Sequence, residues 1–156
     1  MTTLSDAELD TLAFQFFKTF ARFEYALKTA GFHAGKGLKA EPNWDAFAKS
    51  INSFFDQEHQ GDLGRAVHYI IDQPPRIQMV NTTGEFEWAD EPETGPTARK
   101  LLLYIRRVRN NLFHGGKFDG HHWFAPDRSD LLMRHSLTVL QACLNASSAV
   151  KETYNN

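Results

Sequence analysis

The chain has 156 residues, a net charge of −2, and apolar and charged shares of 42% and 23%, which are ordinary values for one globular domain. The slightly negative charge excludes general binding to a nucleic-acid backbone, so any such binding must be local. Cys143 is the single cysteine, and the sequence has no run of eighteen apolar residues and no leader. These features predict a cytoplasmic protein without disulfides or membrane contact.

The first predicted helix begins at Ser5, whose spacing from Glu8 is that of a capping box, and ends near Ala30. Its apolar residues recur every three or four positions, which is the pattern of one buried helix face. Glu24 lies at the edge of that face, about 40° from Phe20 on an ideal helix. A carboxylate at this place is expected to be half-buried and to need a partner.

A second helix is predicted to start at Asn43, which is a good cap, and a third at Gly61. The third ends at Pro74 and Pro75, because proline breaks a helix. Apolar and polar residues then alternate over residues 76–95 around a predicted turn, which indicates a short β-hairpin inserted before the fourth helix.

The fourth predicted helix has Pro96 at its first position and ends at Gly115 and Gly116. A loop with two adjacent histidines follows, but their spacing is not that of a metal site. Asp127 is expected to cap a fifth helix that runs to about Thr153. The sequence therefore predicts one domain over residues 1–156, an all-α bundle of five helices with the possible hairpin insert.

The end of the fourth helix contains the candidate catalytic residues. No acidic residue occurs from Thr94 to Phe118, whereas this region contains several arginines, His114 and Lys117. Histidine exchanges a proton near neutral pH, as general acid–base catalysis requires, and arginine can hold two phosphate oxygens. Together they predict phosphodiester binding and cleavage. The stretch lacks a serine or cysteine nucleophile and a carboxylate cluster for Mg²⁺, so neither cofactor nor metal is expected.

The positions of these residues around the helix limit which of them can act on the same atom. Asn110 precedes His114 by four residues, so both lie on one helix face and Asn110 can orient the imidazole ring or a substrate oxygen. Arg109 precedes His114 by five residues and therefore lies about 140° away from it. Either the helix unwinds at the glycines, or two copies of the chain combine their residues in a two-fold dimer.

The hexapeptide from Arg109 to His114 resembles the defining motif of the HEPN superfamily, with Asn110 at its polar position. The glycines after the histidine and the order of helices are also similar to HEPN domains. The resemblance implies a bundle that dimerises through the motif helices and, in active members, metal-independent RNA cleavage by 2′-hydroxyl transesterification. Arg109 would then stabilise the phosphate, His114 would transfer the proton, Asn110 would support both, and Glu24 would assist from the first helix.

Arg106, Arg107 and Lys117 are the predicted additional RNA contacts. Many HEPN proteins belong to toxin–antitoxin or anti-phage systems, so the expected partners are RNA, a second copy of the chain and, as a further candidate, an antitoxin protein. Two alternatives remain open. In the first, the same dimer is a non-catalytic module that binds a nucleotide, RNA or a protein. In the second, the basic surface where the two motif helices meet is the surface that an antitoxin binds.

Overall fold

Residues 4–156 are described by the computed structural model, and most of them are helical. Six helices and four short strands follow one another in the chain. In order they are α1 Asp6–Thr29, α2 Trp44–Phe55, α3 Gly61–Asp72, β1 Ile77–Val80, β2 Phe86–Ala89, α4 Thr97–Phe113, β3 Phe118–Asp119, β4 His122–Trp123, α5 Pro126–Ala146 and α6 Ser148–Asn155.

The first two helices begin as their capping residues predict. The Ser5 hydroxyl accepts a hydrogen bond from the Glu8 backbone N–H at 3.2 Å, and the Glu8 carboxylate accepts one from the Ser5 N–H at 2.8 Å. This is the complete capping box of α1. The Asn43 side chain likewise accepts from the Ala46 N–H at 3.0 Å and caps α2.

The predicted hairpin is also present. Strands β1 and β2 pair antiparallel, with Ile77 opposite Ala89 and Val80 opposite Phe86. The Asn81 side chain accepts hydrogen bonds from the N–H groups of Thr83 and Glu85 inside the turn, which is how an asparagine stabilises a tight turn. The insert therefore precedes α4, as the alternating pattern indicates.

The predicted count of five helices is corrected to six. The chain leaves helical geometry at Ser147, where φ is −135° and ψ is 100°, and the Ser147 hydroxyl then caps α6 at the Val150 N–H. The start of α5 also differs, because Pro126 occupies the first turn, where its missing N–H is not needed, and Asp127 follows it. Pro96 similarly precedes α4 instead of being its first residue.

The loop after α4 contains a second, smaller hairpin that the sequence did not predict. Its two-residue strands β3 and β4 pair antiparallel, with Phe118 opposite Trp123. The indole N–H of Trp123 donates to the Asp10 carboxylate of α1 at 2.9 Å. This bond and the burial of the Trp123 ring attach the loop to the helical bundle.

One hydrophobic core joins the helices, and aromatic rings fill much of it. Phe23 of α1 stacks on Trp44 of α2 with ring centres 5.5 Å apart, and meets Phe47 edge-on at 5.6 Å. Helix α5 packs against α1 and α3, and α4 packs against α2. None of the helices in residues 4–156 combines the length and the apolarity needed to cross a lipid bilayer.

Candidate functional site

The end of α4 is closed by a Schellman motif. The N–H of Gly116 donates to the Asn111 carbonyl at 2.9 Å and that of Gly115 to the Leu112 carbonyl at 3.3 Å, which is the hydrogen-bond pair that defines the motif. Gly115 has φ +81°, a conformation that glycine adopts without steric cost. His114 is consequently the C-cap residue of α4.

The helix remains regular between the two principal residues of the motif. It is helical through Phe113, and the His114 N–H donates to the Asn110 carbonyl at 2.9 Å. The glycine break comes after His114, so it does not turn the imidazole back toward Arg109. Of the two explanations that the spacing left open, unwinding at the glycines is absent here, and the separation of about 140° around the helix persists.

Asn110 and His114 are both exposed to solvent. Within residues 4–156 neither side chain makes a hydrogen bond, and the His114 ring rests edge-on against Phe113 with ring centres 5.5 Å apart. Both polar groups are thus free to meet a ligand. Their exposure on one side of the helix end is what a spacing of four residues predicts.

Arg109 lies in different surroundings. Its guanidinium carbon is 5.0 Å from the centre of the Phe20 ring, a cation–π distance. Its Nε is buried and has no hydrogen-bond partner among the described residues, which is uncommon for a buried donor. The side chain lines an apolar pocket of about 290 Å³ between α1 and the end of α4, together with Phe16, Leu112 and Trp123.

Four exposed phenylalanines surround this pocket. We call Phe14, Phe17, Phe113 and Phe118 the aromatic face; their exposed fractions are 66%, 52%, 67% and 41%. A cluster of large apolar side chains in water commonly marks an interaction surface. The core pattern of α1 does not predict this face, although Phe14 and Phe17 are three residues apart and fall outside the buried stripe of that helix.

Arg107 forms hydrogen bonds with residues that flank the β1–β2 hairpin. It donates to the carbonyls of Pro75 and Glu91, each at 2.9 Å, and to the Glu93 carboxylate at 3.0 Å, and its side chain is only 11% exposed. These bonds fasten the chain on both sides of the β1–β2 hairpin to α4. Arg107 therefore anchors the hairpin in this structure, and its contact with RNA stays a prediction.

The other two predicted RNA contacts, Arg106 and Lys117, differ in burial. Arg106 is half-buried and makes no hydrogen bond or ion pair within residues 4–156. Lys117 is only 7% exposed, and its Nζ lies 4.9 Å from the centre of the Trp88 ring. Lys117 lines a second cavity and does not line the pocket beside Arg109, and its contact with RNA stays a prediction.

Glu24 has the partner that its half-buried position requires. Its carboxylate accepts a hydrogen bond from the indole N–H of Trp44 at 2.9 Å. The bond connects α1 to the first residue of α2. Glu24 consequently acts in the packing of the helices, and any contribution to the motif site would be indirect.

No protein-family description matches the sequence, and neither a curated protein nor a solved structure is significantly similar to the chain. No group of three or more histidine, cysteine or acidic side chains in residues 4–156 is arranged to hold a metal ion.

Proposed function

We propose that the chain is a HEPN-like endoribonuclease that acts as a homodimer and cleaves RNA without a metal ion. One observation carries this proposal. Arg109 and His114 border the same exposed aromatic face, yet on one regular helix they lie about 140° apart. A second copy of the chain would allow Arg109 of one subunit and His114 of the other to meet at one phosphodiester.

The aromatic face supplies a reason for two copies to associate. A two-fold axis places the same patch of each subunit against the other, and burial of the exposed part of each phenylalanine stabilises the contact by at most about 1.5–3 kcal/mol. Arg109 lines the pocket at the centre of this face. Its guanidinium could there meet an acceptor on the second copy or a phosphate bound between the copies.

The proposed chemistry is transesterification within RNA. The imidazole of His114 accepts the proton of a 2′-hydroxyl, whose oxygen attacks the neighbouring phosphorus. The bond to the 5′-oxygen breaks, and this oxygen takes a proton from a water molecule, while the imidazolium releases its own proton to solvent. The products are a 2′,3′-cyclic phosphate and a free 5′-hydroxyl. Arg109 holds the non-bridging oxygens as negative charge accumulates on them, and Asn110 orients the imidazole ring.

Degradation of RNA in the presence of EDTA tests this activity. The wild-type protein is expected to cleave, and His114→Ala to lose at least about 100-fold of the rate, because general acid–base catalysis contributes about 10²–10⁴-fold. His68→Ala, which removes an exposed histidine of α3, is the matched control and keeps full activity. Activity that survives in His114→Ala, or that needs a divalent ion, contradicts the mechanism.

A binding module is the second candidate function. It is favoured by the burial of Arg107 and Lys117, because the basic surface around His114 is smaller than the sequence predicts. If wild type and His114→Ala are both inert but retard RNA in a gel, the dimer binds RNA without cleaving it. A complex with an acidic protein that resists high salt would instead favour an antitoxin partner and a toxin–antitoxin or anti-phage role.

A further inference from the structure

A larger cavity, of about 680 Å³, lies between the β1–β2 hairpin, the loop after α4 and the start of α5. The loop separates it from the pocket beside Arg109. Lys117 and Phe124 line the larger cavity, whereas Phe118 and Trp123 line the pocket. The two concavities are therefore on opposite sides of one loop, and the larger one contains none of the motif residues.

Lys117 is the unusual group in this cavity. It is 7% exposed, and its ammonium makes no hydrogen bond or ion pair with any residue of 4–156; it lies over the Trp88 ring, 4.9 Å from the ring centre. Burial, followed by repulsion from Arg128 and Arg76, lowers the pKa of Lys117 from 10.5 to about 8. A partly desolvated charge without a counter-ion is unfavourable, and a bound anion would reduce this cost.

The neighbouring charges reinforce the preference for an anion. Arg128 donates to the Tyr69 hydroxyl and to backbone carbonyls, including that of Pro74. These acceptors are neutral, so the positive charge of Arg128 is not cancelled. Asp72 and Asp90 also line the cavity but are exposed, and Asp90 is already paired with Arg76 at 3.0 Å. The excess positive charge is consequently concentrated around Lys117 and Arg128.

Two aromatic rings line the same cavity. The rings of Trp88 and Phe124 are parallel to within 4°, with their centres 6.5 Å apart, and Phe124 is 46% exposed. A flat ligand ring that stacks on one of them is therefore parallel to both. Stacking of a nucleobase on an aromatic side chain contributes about 1–3 kcal/mol and tolerates different bases. The cavity thus offers an anion site beside a surface for a planar ring.

We propose that this cavity binds a nucleoside monophosphate, with its phosphate at Lys117 and Arg128 and its base against Trp88 and Phe124. The nucleotide is either free or the phosphorylated end of an RNA chain, since both present the same chemical groups. This site does not rest on the proposed ribonuclease function, because Arg109, Asn110 and His114 take no part in it.

Calorimetric titration of the full chain at pH 7 with adenosine monophosphate, adenosine and inorganic phosphate tests the site. The nucleotide is expected to bind at least about tenfold more tightly than either fragment, which corresponds to 1.4 kcal/mol. Lys117→Met keeps the length of the side chain but removes its charge, and should weaken nucleotide binding at least about tenfold. Lys49→Met, at an exposed lysine of α2, is the matched control and should leave the affinity unchanged.

His114→Ala should bind the nucleotide like the wild type. A negative ribonuclease test would therefore not contradict the nucleotide site. Equal affinities of Lys117→Met and wild type, or no saturation of the wild type by any nucleoside monophosphate at about 10 mM, would overturn the proposal. A short 2′-O-methyl oligonucleotide identifies the source of the ligand. Tighter binding of its 5′-phosphorylated form than of the mononucleotide indicates an RNA end, and weaker binding indicates a free nucleotide.

Tryptophan fluorescence locates the bound nucleotide by a second route. Quenching by adenosine monophosphate in the wild type should disappear in Trp88→Phe, which keeps an aromatic ring in the cavity and leaves Trp44 and Trp123 in place. Quenching that persists in Trp88→Phe would overturn the assignment of the nucleotide to this cavity.

Discussion

Arg107 and Lys117 belong to one cationic stretch, yet their burial has opposite energetic consequences. Arg107 meets two carbonyls and a carboxylate, so its charge is hydrogen-bonded and stabilises the fold. Within residues 4–156, the ammonium of Lys117 lies over the Trp88 indole ring and makes no hydrogen bond or ion pair. The sequence could show that both are cations, but not this difference, because the acceptors of Arg107 come from positions 14 to 32 residues away in the chain.

Replacement of Lys117 by methionine should stabilise the protein at pH 7. The pKa of Lys117 is about 8 in the folded chain against 10.5 for a free lysine, a difference that corresponds to about 3 kcal/mol. Loss of the contact with Trp88 offsets part of this gain, so we expect Lys117→Met to unfold with a free energy about 1–3 kcal/mol higher in urea.

The pH dependence provides the control for this prediction. Because the folded-state pKa is the lower one, the unfolded chain binds more protons between pH 8 and 10.5, and the contribution of Lys117 to stability rises with pH across that window. The advantage of Lys117→Met should therefore shrink as the pH rises from 8 toward 10.5. A variant that is less stable than the wild type at pH 7 would show that Lys117 has a partner.

At the scale of the elements, the attachment of the β1–β2 hairpin to α4 is the feature that the sequence could not predict. Alternating residues predict the strands themselves, but their docking depends on distant pairs. The Asn111 amide donates to the Arg76 carbonyl at 2.9 Å. A Cβ added at Gly116 would lie 3.0 Å from the Trp88 ring, so any larger residue at this position would have to displace that ring slightly where the loop approaches the hairpin.

Replacement of Arg107 by methionine should loosen this attachment. The variant leaves the Glu93 carboxylate and two carbonyls without their donor, which we expect to destabilise the hairpin by about 2–3 kcal/mol. Hydrogen exchange of the β1 and β2 amides measures the effect, and exchange should be faster there while the core of α1 stays protected. Arg106→Met removes an arginine without such bonds and serves as the control. Unchanged exchange in β1 and β2 would contradict the anchoring role.

Helix boundaries show where local patterns suffice. The starts of α1 and α2 follow from capping side chains that act within three residues, and they were predicted. The break between α5 and α6 was not, because neither glycine nor proline occurs at residues 145–149 to mark it. Without such a residue a single helix is expected, whereas the Ser147 hydroxyl caps a new one. Side-chain caps compete with helix continuation in a way that apolar spacing does not reveal.

At the scale of the whole molecule, the aromatic face determines how much of the candidate site could be predicted. The sequence identifies Arg109, Asn110 and His114 and shows that helix geometry keeps Arg109 apart from His114. It does not show the four exposed rings around them, because most of the 13 phenylalanines are expected in the core. Exposure of these rings beside the motif is what makes the second copy the best candidate for completing the site.

A complementation assay tests the shared site most directly. Arg109→Ala and His114→Ala are each expected to be inactive in EDTA, and their 1:1 mixture is allowed to exchange subunits before RNA is added. Half of the dimers then contain both variants, and each has one of its two sites intact, so the mixture should recover about a quarter of the wild-type rate. A mixture that stays inactive while the wild type cleaves RNA would place Arg109 and His114 of each site in the same chain, and would contradict the shared site.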